Sequence, residues 1–198
     1  MVSCRWNERA WIAVAALVLL AGCGLKHVEI DPAVRNTADT PAAVPELEGL
    51  SLYLAPPDGP KERLWYENEG RRWTLERPPD VLVREALVKG LEGMGLTVSD
   101  REDSETLRLE VRIRWFAPYG HTPYAAVVIL SLSLHPGEGE QALWWGRLRA
   151  GRVEPPRWLF FGSQRKLETI VSEVLTEAID QLRWKPGFRA VVSRSNRR

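Results

Sequence analysis

Two long stretches of the 198-residue chain alternate apolar and polar positions, and that alternation sets the fold class. In TLRLEVRIRWF, Leu107, Leu109, Val111, Ile113 and Trp115 fall on one face. Arg108, Glu110, Arg112, Arg114 and Phe116 fall on the other, the period of a half-buried strand. YAAVVILSLSL is apolar at successive positions before it alternates, as expected of a central strand or one covered from both sides. ALWWGRLRAGRV reads as a third strand, with Trp144, Leu148 and Ala150 inward and Trp145, Arg147 and Arg149 outward. Upstream, Leu50, Leu52 and Leu54 mark a strand that ends at Pro56-Pro57. RLWYENEGRRWTLE reads as a hairpin turning near Asn68-Glu69-Gly70, and Leu96 with Val98 as a short strand.

The period changes twice to that of a helix. After Pro78-Pro79, with Asp80 as N-cap, the positions Val83, Leu87, Leu91 and Met94 form an apolar stripe closed by Gly95. Gly90 and Gly93 weaken this helix by about 1 kcal/mol each, so it depends on packing. The second helix runs from Gln164 to Arg183 with Ser163 as N-cap. Leu167, Ile170, Val171, Val174, Leu175, Ala178, Ile179 and Leu182 keep the i, i+3, i+4, i+7 spacing throughout. Pro186-Gly187 is expected to stop it. The element order predicts an α+β, two-layer sandwich: a mostly antiparallel sheet with two helices packed on one face.

The N-terminus carries a different pattern. Arg5 and Arg9 precede a run of about a dozen apolar residues from Ala10 to Ala21, shorter than the roughly 20 needed to span a bilayer. It ends in Leu20-Ala21-Gly22-Cys23, which resembles the lipobox of bacterial lipoproteins. The resemblance implies diacylglycerol on the Cys23 thiol, cleavage between Gly22 and Cys23, and acylation of the new amine, palmitate being a typical chain. Residues 1–22 are then a signal peptide and residues 23–47, with Pro32, Pro41 and Pro45, a lipidated tether averaging roughly 27 Å end to end. Within it His27 to Ile30 has the makings of a short extended piece. Residues 48–192 form one domain and residues 193–198, SRSNRR, read as a disordered basic tail.

Composition narrows the role. Loss of Arg5, Arg9 and Glu8 with the signal peptide takes 27 basic and 26 acidic residues to 25 of each. A neutral mature chain argues against nucleic-acid binding, which calls for a basic excess or stripe. Its single remaining cysteine is committed to lipid, and Cys4 is discarded with the signal peptide. His27, His121 and His135 have no neighbours at metal-ligand spacing, and neither a nucleophile elbow nor a phosphate-cradling glycine loop occurs, so no cofactor, metal or catalytic residue is assigned. Trp158, Phe160 and Phe161 read as core residues ahead of the second helix.

The outward residues of the strands are the candidate site. Adjacent strands would present Arg108, Arg112, Arg114, Arg147 and Arg149 with Phe116 and Trp145 among them. Arginine and tryptophan favour contact surfaces, and guanidinium pairs well with phosphate. The alternative is the ordinary solvated face of an antiparallel sheet. Apolar Val127 and Ile129 on the same face favour a covered surface.

The lipobox, the proline-bearing tether and the element order resemble the YajG-like lipoproteins of Gram-negative bacteria. LVKGLEGMGLTV, running helix into strand, and SQRKLETIVSEVLTEAIDQL, the closing helix, carry the resemblance within the domain. The auxiliary lipoproteins of ABC-type lipid transporters share the same layout. The first resemblance implies a location more than a mechanism, and the second a part in lipid transport. With no catalytic motif in the residues, the expected role is a non-enzymatic, membrane-anchored periplasmic protein that binds an envelope protein or a lipid; the less favoured alternative is an envelope enzyme with carboxylates collected from loops. Gly24 is not the aspartate that retains many lipoproteins at the inner membrane, so the outer membrane is the expected address.

Overall fold

The computed structural model describes residues 26–30, 43–61, 65–68, 71–103, 106–119, 124–137, 140–154 and 164–195. Strands β1 (Lys26–Ile30), β3 (Trp65–Asn68) and β4 (Arg71–Leu75) form a small sheet in the order β1-β4-β3. Strands β2 (Ser51–Leu54), β5 (Thr97–Ser99), β6 (Leu107–Tyr119), β7 (Tyr124–His135) and β8 (Trp144–Glu154) form the main sheet in the order β5-β2-β6-β7-β8. Helices α1 (Pro79–Gly93), α2 (Gln164–Asp180) and α3 (Pro186–Ser195) complete the α+β fold among the described residues. Residues 158, 160, 161 and 163, assigned above to core and cap, lie outside the described residues, as does His121.

The main sheet is antiparallel over most of its paired length, as expected, and mixed only through β2. β6, β7 and β8 form an antiparallel meander, but β2 pairs in parallel with both β5 and β6. The chain passes through the β3–β4 hairpin and α1 between β2 and β5, and such a crossover returns it in the same direction.

α2 supplies the main cover. All eight positions of its predicted stripe are buried, together with Leu130, Leu132, Leu134, Leu148 and Ala150 of β7 and β8. Each fully buried Leu, Ile or Val contributes about 1.5–3 kcal/mol relative to exposure. A 3-10 turn, Gln181–Trp184, ends the helix and keeps Leu182 buried.

Two boundary assignments are corrected by the structure, the Asp80 cap and the Pro186-Gly187 stop. α1 is capped by Pro78 with Pro79 in its first turn, not by Asp80, whose Oδ1 accepts a hydrogen bond from the Val81 N–H at 2.9 Å. Proline suits that position because the N–H it lacks has no partner in the first turn. At the other end Gly95 takes φ 95° and Leu96 N–H reaches back to the Leu91 carbonyl at 3.1 Å, the expected glycine stop. Pro186-Gly187, expected to end the helical region, starts α3 instead. Ser193, Arg194 and Ser195 form its last turn, so the helix extends into the expected tail.

α3 is held by an aromatic contact. Trp144 meets Phe188 edge-on, with ring centroids 5.4 Å apart. The indole lies so close to Gly146 and Gly187 that a Cβ on either would sit 2.4 Å or 2.9 Å from its atoms. Gly90 plays the same part between helices, since a Cβ there would come 2.3 Å from Cγ2 of Ile179. Ile179 is β-branched and stiff, so it cannot swing away cheaply.

Gly90→Ala is therefore expected to destabilise the domain, the about 1–3 kcal/mol cost of overpacking exceeding the roughly 1 kcal/mol gain in helix propensity. Gly93 provides the contrast, with nothing within 4 Å of the point a Cβ would occupy. Gly93→Ala is expected to stabilise by up to about 1 kcal/mol. Urea denaturation of the two variants reads the opposite signs.

Candidate binding face

The antiparallel register writes the outer face of β6, β7 and β8 as a grid. Glu110, Ser133 and Trp145 form one row, and Arg112, Ser131 and Arg147 the next. Then come Trp115, Ile129 and Arg149, followed by Ala117, Val127 and Gly151. Trp145, Arg147, Arg149, Arg112 and Arg114 are exposed, as the sequence predicted.

Phe116 is not among them. The pairing of β6 with β7 slips between Ile113 and Trp115, leaving Arg114 as an extra residue in a β-bulge. One inserted residue reverses the alternation downstream. Trp115, assigned to the core by its spacing, is 52% exposed on the outer face, and Phe116 is buried at 8%. The bulge also sets two exposed side chains, Arg114 and Trp115, next to each other on one strand.

The arginines differ in their commitments. Arg108 is fastened down: its Nη1 donates to both Glu102 oxygens at 2.6 and 2.7 Å, and its Nε to Glu110 at 2.9 Å. The guanidinium also stands 5.7 Å from the Tyr53 ring centroid. The hydrogen bond to Glu102, with help from Glu110, outweighs burial and holds the Arg108 pKa above its ordinary value. Its charge and the stability it contributes are thus present below that value and lost only far into the alkaline range. Arg108 is a fixture of the fold more than a free contact.

Arg112 Nε donates to Asp58 Oδ2 at 2.7 Å. The segment carrying Asp58 runs beside β6, with Asp58 N–H on the Val111 carbonyl and Ile113 N–H on the Asp58 carbonyl, each at 2.8 Å. Arg114 Nε donates to Ser131 Oγ at 3.1 Å. Among the described residues no carboxylate pairs with Arg147 or Arg149. Among the described residues, positive charge on this face is therefore neutralised towards β2 and uncompensated at Arg147 and Arg149 of β8.

A groove of about 870 Å³ follows this gradient, bordered by Ala55, Pro56 and Asp58 on one side and Trp145 and Arg147 on the other. Arg112, Arg114, Ser131 and Ser133 lie along it. Trp145 is 79% exposed beside it. Past Arg149 the surface turns apolar, with Ile129 and Val127 half-buried and Val153 62% exposed. Asp58 and Ser131 were missed in the sequence reading, since a lone aspartate after Pro56-Pro57 and a serine in an apolar strand give no local signal.

His135 sits at the edge of the face. Its Nδ1 is 2.8 Å from the Glu140 carbonyl, which can only accept, so Nδ1 carries the proton. Nε2 lies 3.7 Å from Glu110. Among the described residues no group of three His, Cys, Asp or Glu side chains could hold a metal ion, and no helix is long and apolar enough to cross a membrane. Gly22 and Cys23 lie outside the described residues.

No family model matches the chain, and no curated protein matches it. Solved structures do. The chain is similar to a Xanthomonas campestris protein of the DUF330 family at 15% identity, with a TM-score of 0.60, covering 86% of this chain and 99% of that one. It also matches a Caulobacter crescentus protein described as a lipoprotein (9% identity, TM-score 0.39, 58% of this chain and 80% of that one). A minor lipoprotein of Acinetobacter baumannii matches at 13% identity with a TM-score of 0.39, over 76% of this chain and 95% of that one. The first match establishes a shared fold. The three do not decide between the two lipoprotein resemblances.

The two kinds of arginine separate in a stability measurement. Arg108→Ala is expected to cost about 1–3 kcal/mol, because it leaves Glu102 and Glu110 without their charged donor. Arg147→Glu and Arg149→Glu are expected to stay within about 0.5 kcal/mol of the parent. Chemical denaturation measures both.

Proposed function

We propose that the chain is a lipoprotein of the bacterial cell envelope, anchored through Cys23, that works by binding a partner on its outer sheet face. The observation carrying this reading is the juxtaposition of Arg114, Arg147 and Arg149 with two exposed tryptophans, Trp115 and Trp145. Tryptophan and arginine concentrate binding energy in contact surfaces, and a guanidinium fork matches carboxylate or phosphate. The partner is accordingly anionic where it meets this face: an acidic protein surface or a lipid phosphate. The carboxylates along the groove support binding over acid–base catalysis, since Asp58 and Glu110 are each engaged by an arginine.

A second reading, an auxiliary subunit of an ABC-type lipid transport system, is favoured by the apolar end of the same face. Trp115, Ile129, Val127 and Val153 adjoin the cations as an acyl chain adjoins its headgroup. The lipobox pattern supports the anchor, and Gly24 after the cysteine supports an outer-membrane address facing the periplasm.

Cys23→Ser is expected to abolish palmitate incorporation and release the protein from the membrane fraction; retention of label would defeat the anchor. For the face, a photocrosslinking residue replaces Trp145 in cells, with another at exposed Glu177 of α2 as the control. A discrete adduct is expected at 145 alone, lost when Arg147→Glu and Arg149→Glu are added. Protein and phospholipid adducts differ in mass and distinguish the two kinds of partner. Adducts that survive the charge reversal would refute the assigned surface.

A further inference from the structure

The stretch expected to serve as a long tether contains a paired strand close to its start. β1 pairs in parallel with β4 along all five residues, Lys26 opposite Arg71 and His27 opposite Arg72. Residues 31–42 thus join two points that both belong to the domain, Ile30 and the buried Val44, and add nothing to the distance from the anchor. Only Gly24 and Leu25 separate Cys23 from β1. Three residue steps span at most about 11 Å, against the roughly 27 Å average expected of a free tether.

The same end of the small sheet carries three basic residues, Lys26, Arg71 and Arg72, with one acid, Glu67, opposite Arg72. β3 pairs antiparallel with β4 so that Asn68 stands opposite Arg71, placing Lys26, Arg71 and Asn68 side by side across three strands. Arg72 follows one position further along. We propose that this end of the sheet docks on the bilayer that holds the anchor, with Lys26, Arg71 and Arg72 as its contact with anionic phospholipid headgroups. The proposal rests on the reading that Cys23 is lipidated. Headgroups are the occupant because of reach and charge together. A leash of at most about 11 Å keeps the cations near the screening distance of roughly 8 Å at physiological salt, where they act on a charged surface. A standoff several times longer would leave them screened.

The test uses the processed lipoprotein in vesicles. Mass spectrometry of its N-terminal peptide first checks the lipid; an unmodified Cys23 ends the anchor reading itself and is thereby distinguished from failure of the docking. Glu177→Cys then gives a single free thiol for a donor dye, with an acceptor on the lipid headgroups. In neutral phosphatidylcholine vesicles, about ten Gly/Ser residues inserted after Leu25 are expected to lower energy transfer about two-fold, because the leash then sets the standoff. The same insertion after Asn36 is expected to leave transfer unchanged. Equal losses from both insertions, or none from either, overturn the docking of β1.

In vesicles containing phosphatidylglycerol, the variant lengthened after Leu25 is expected to regain its transfer. Roughly 0.5 M salt should remove that recovery, as should combined Lys26→Glu, Arg71→Glu and Arg72→Glu. Where the triple variant does not fold, Lys26→Glu alone and the salt titration give the reading. No recovery on the anionic surface, or a recovery indifferent to charge reversal and salt, overturns the headgroup contact.

Discussion

The apolar stripe of α2, buried against β7 and β8, divides the main sheet into a covered face and an open one, and the position of the candidate binding face follows from that division. Leu130, Leu132 and Leu134 must point towards α2 to be buried, so Ile129, Ser131 and Ser133 must point away. β8 is held in the same phase by Leu148 and Ala150, which turns Trp145, Arg147 and Arg149 outward. A register slip of one residue would bring guanidiniums into the core. The burial of several leucines, at about 1.5–3 kcal/mol each, therefore fixes where the arginines stand as well as stabilising the fold.

What the sequence made legible was periodicity. The alternation in β6, β7 and β8 and the uninterrupted stripe of α2 carried the element order, the α+β class and the outward positions of Arg112, Arg147, Arg149 and Trp145. What it hid was anything that breaks a period without a characteristic residue. The bulge at Arg114 inserts one residue with no glycine to mark it, and so Trp115 and Phe116 exchanged faces. Pro186-Gly187 is equally compatible with ending a helix or beginning one, because proline tolerates the first turn of the next. The parallel pairing of β2 depends on a long crossover, and local alternation does not encode strand direction. Arg108 reads like its neighbours until Glu102, six residues upstream and ahead of the strand, is seen to reach it.

β8 closes one side of the sheet and would leave a row of backbone groups bare. Gln181, just past α2, answers part of this: its Nε2 donates to the Arg149 carbonyl at 2.7 Å and its Oε1 accepts from the Arg149 N–H at 3.3 Å. A side-chain amide thus stands in for one residue of a neighbouring strand, a device suited to an edge that must stay unpaired. Trp144, turned to the opposite face from Trp145, grips Phe188 and lies against Gly187. The two adjacent tryptophans divide their labour by strand geometry alone, one securing α3 and the other standing exposed beside the groove.

Charge on the face is arranged by removal as much as by placement. The whole chain is close to neutral, so a positive surface requires that acids be held elsewhere or spent on particular bases. Glu102 and Glu110 close on Arg108, and Asp58 on Arg112, all along β6. Arg147 and Arg149 on β8 have no such partner among the described residues, and Arg114 on the bulge holds only the neutral hydroxyl of Ser131. The face therefore carries a direction: neutral by Asp58, cationic at Arg114 and Arg147, apolar at Ile129 and Val153. A symmetric patch would attract any anion equally. Under the proposed binding role, a face graded this way would favour a ligand whose charged and apolar parts are ordered along the same line, and so would select orientation as well as sign.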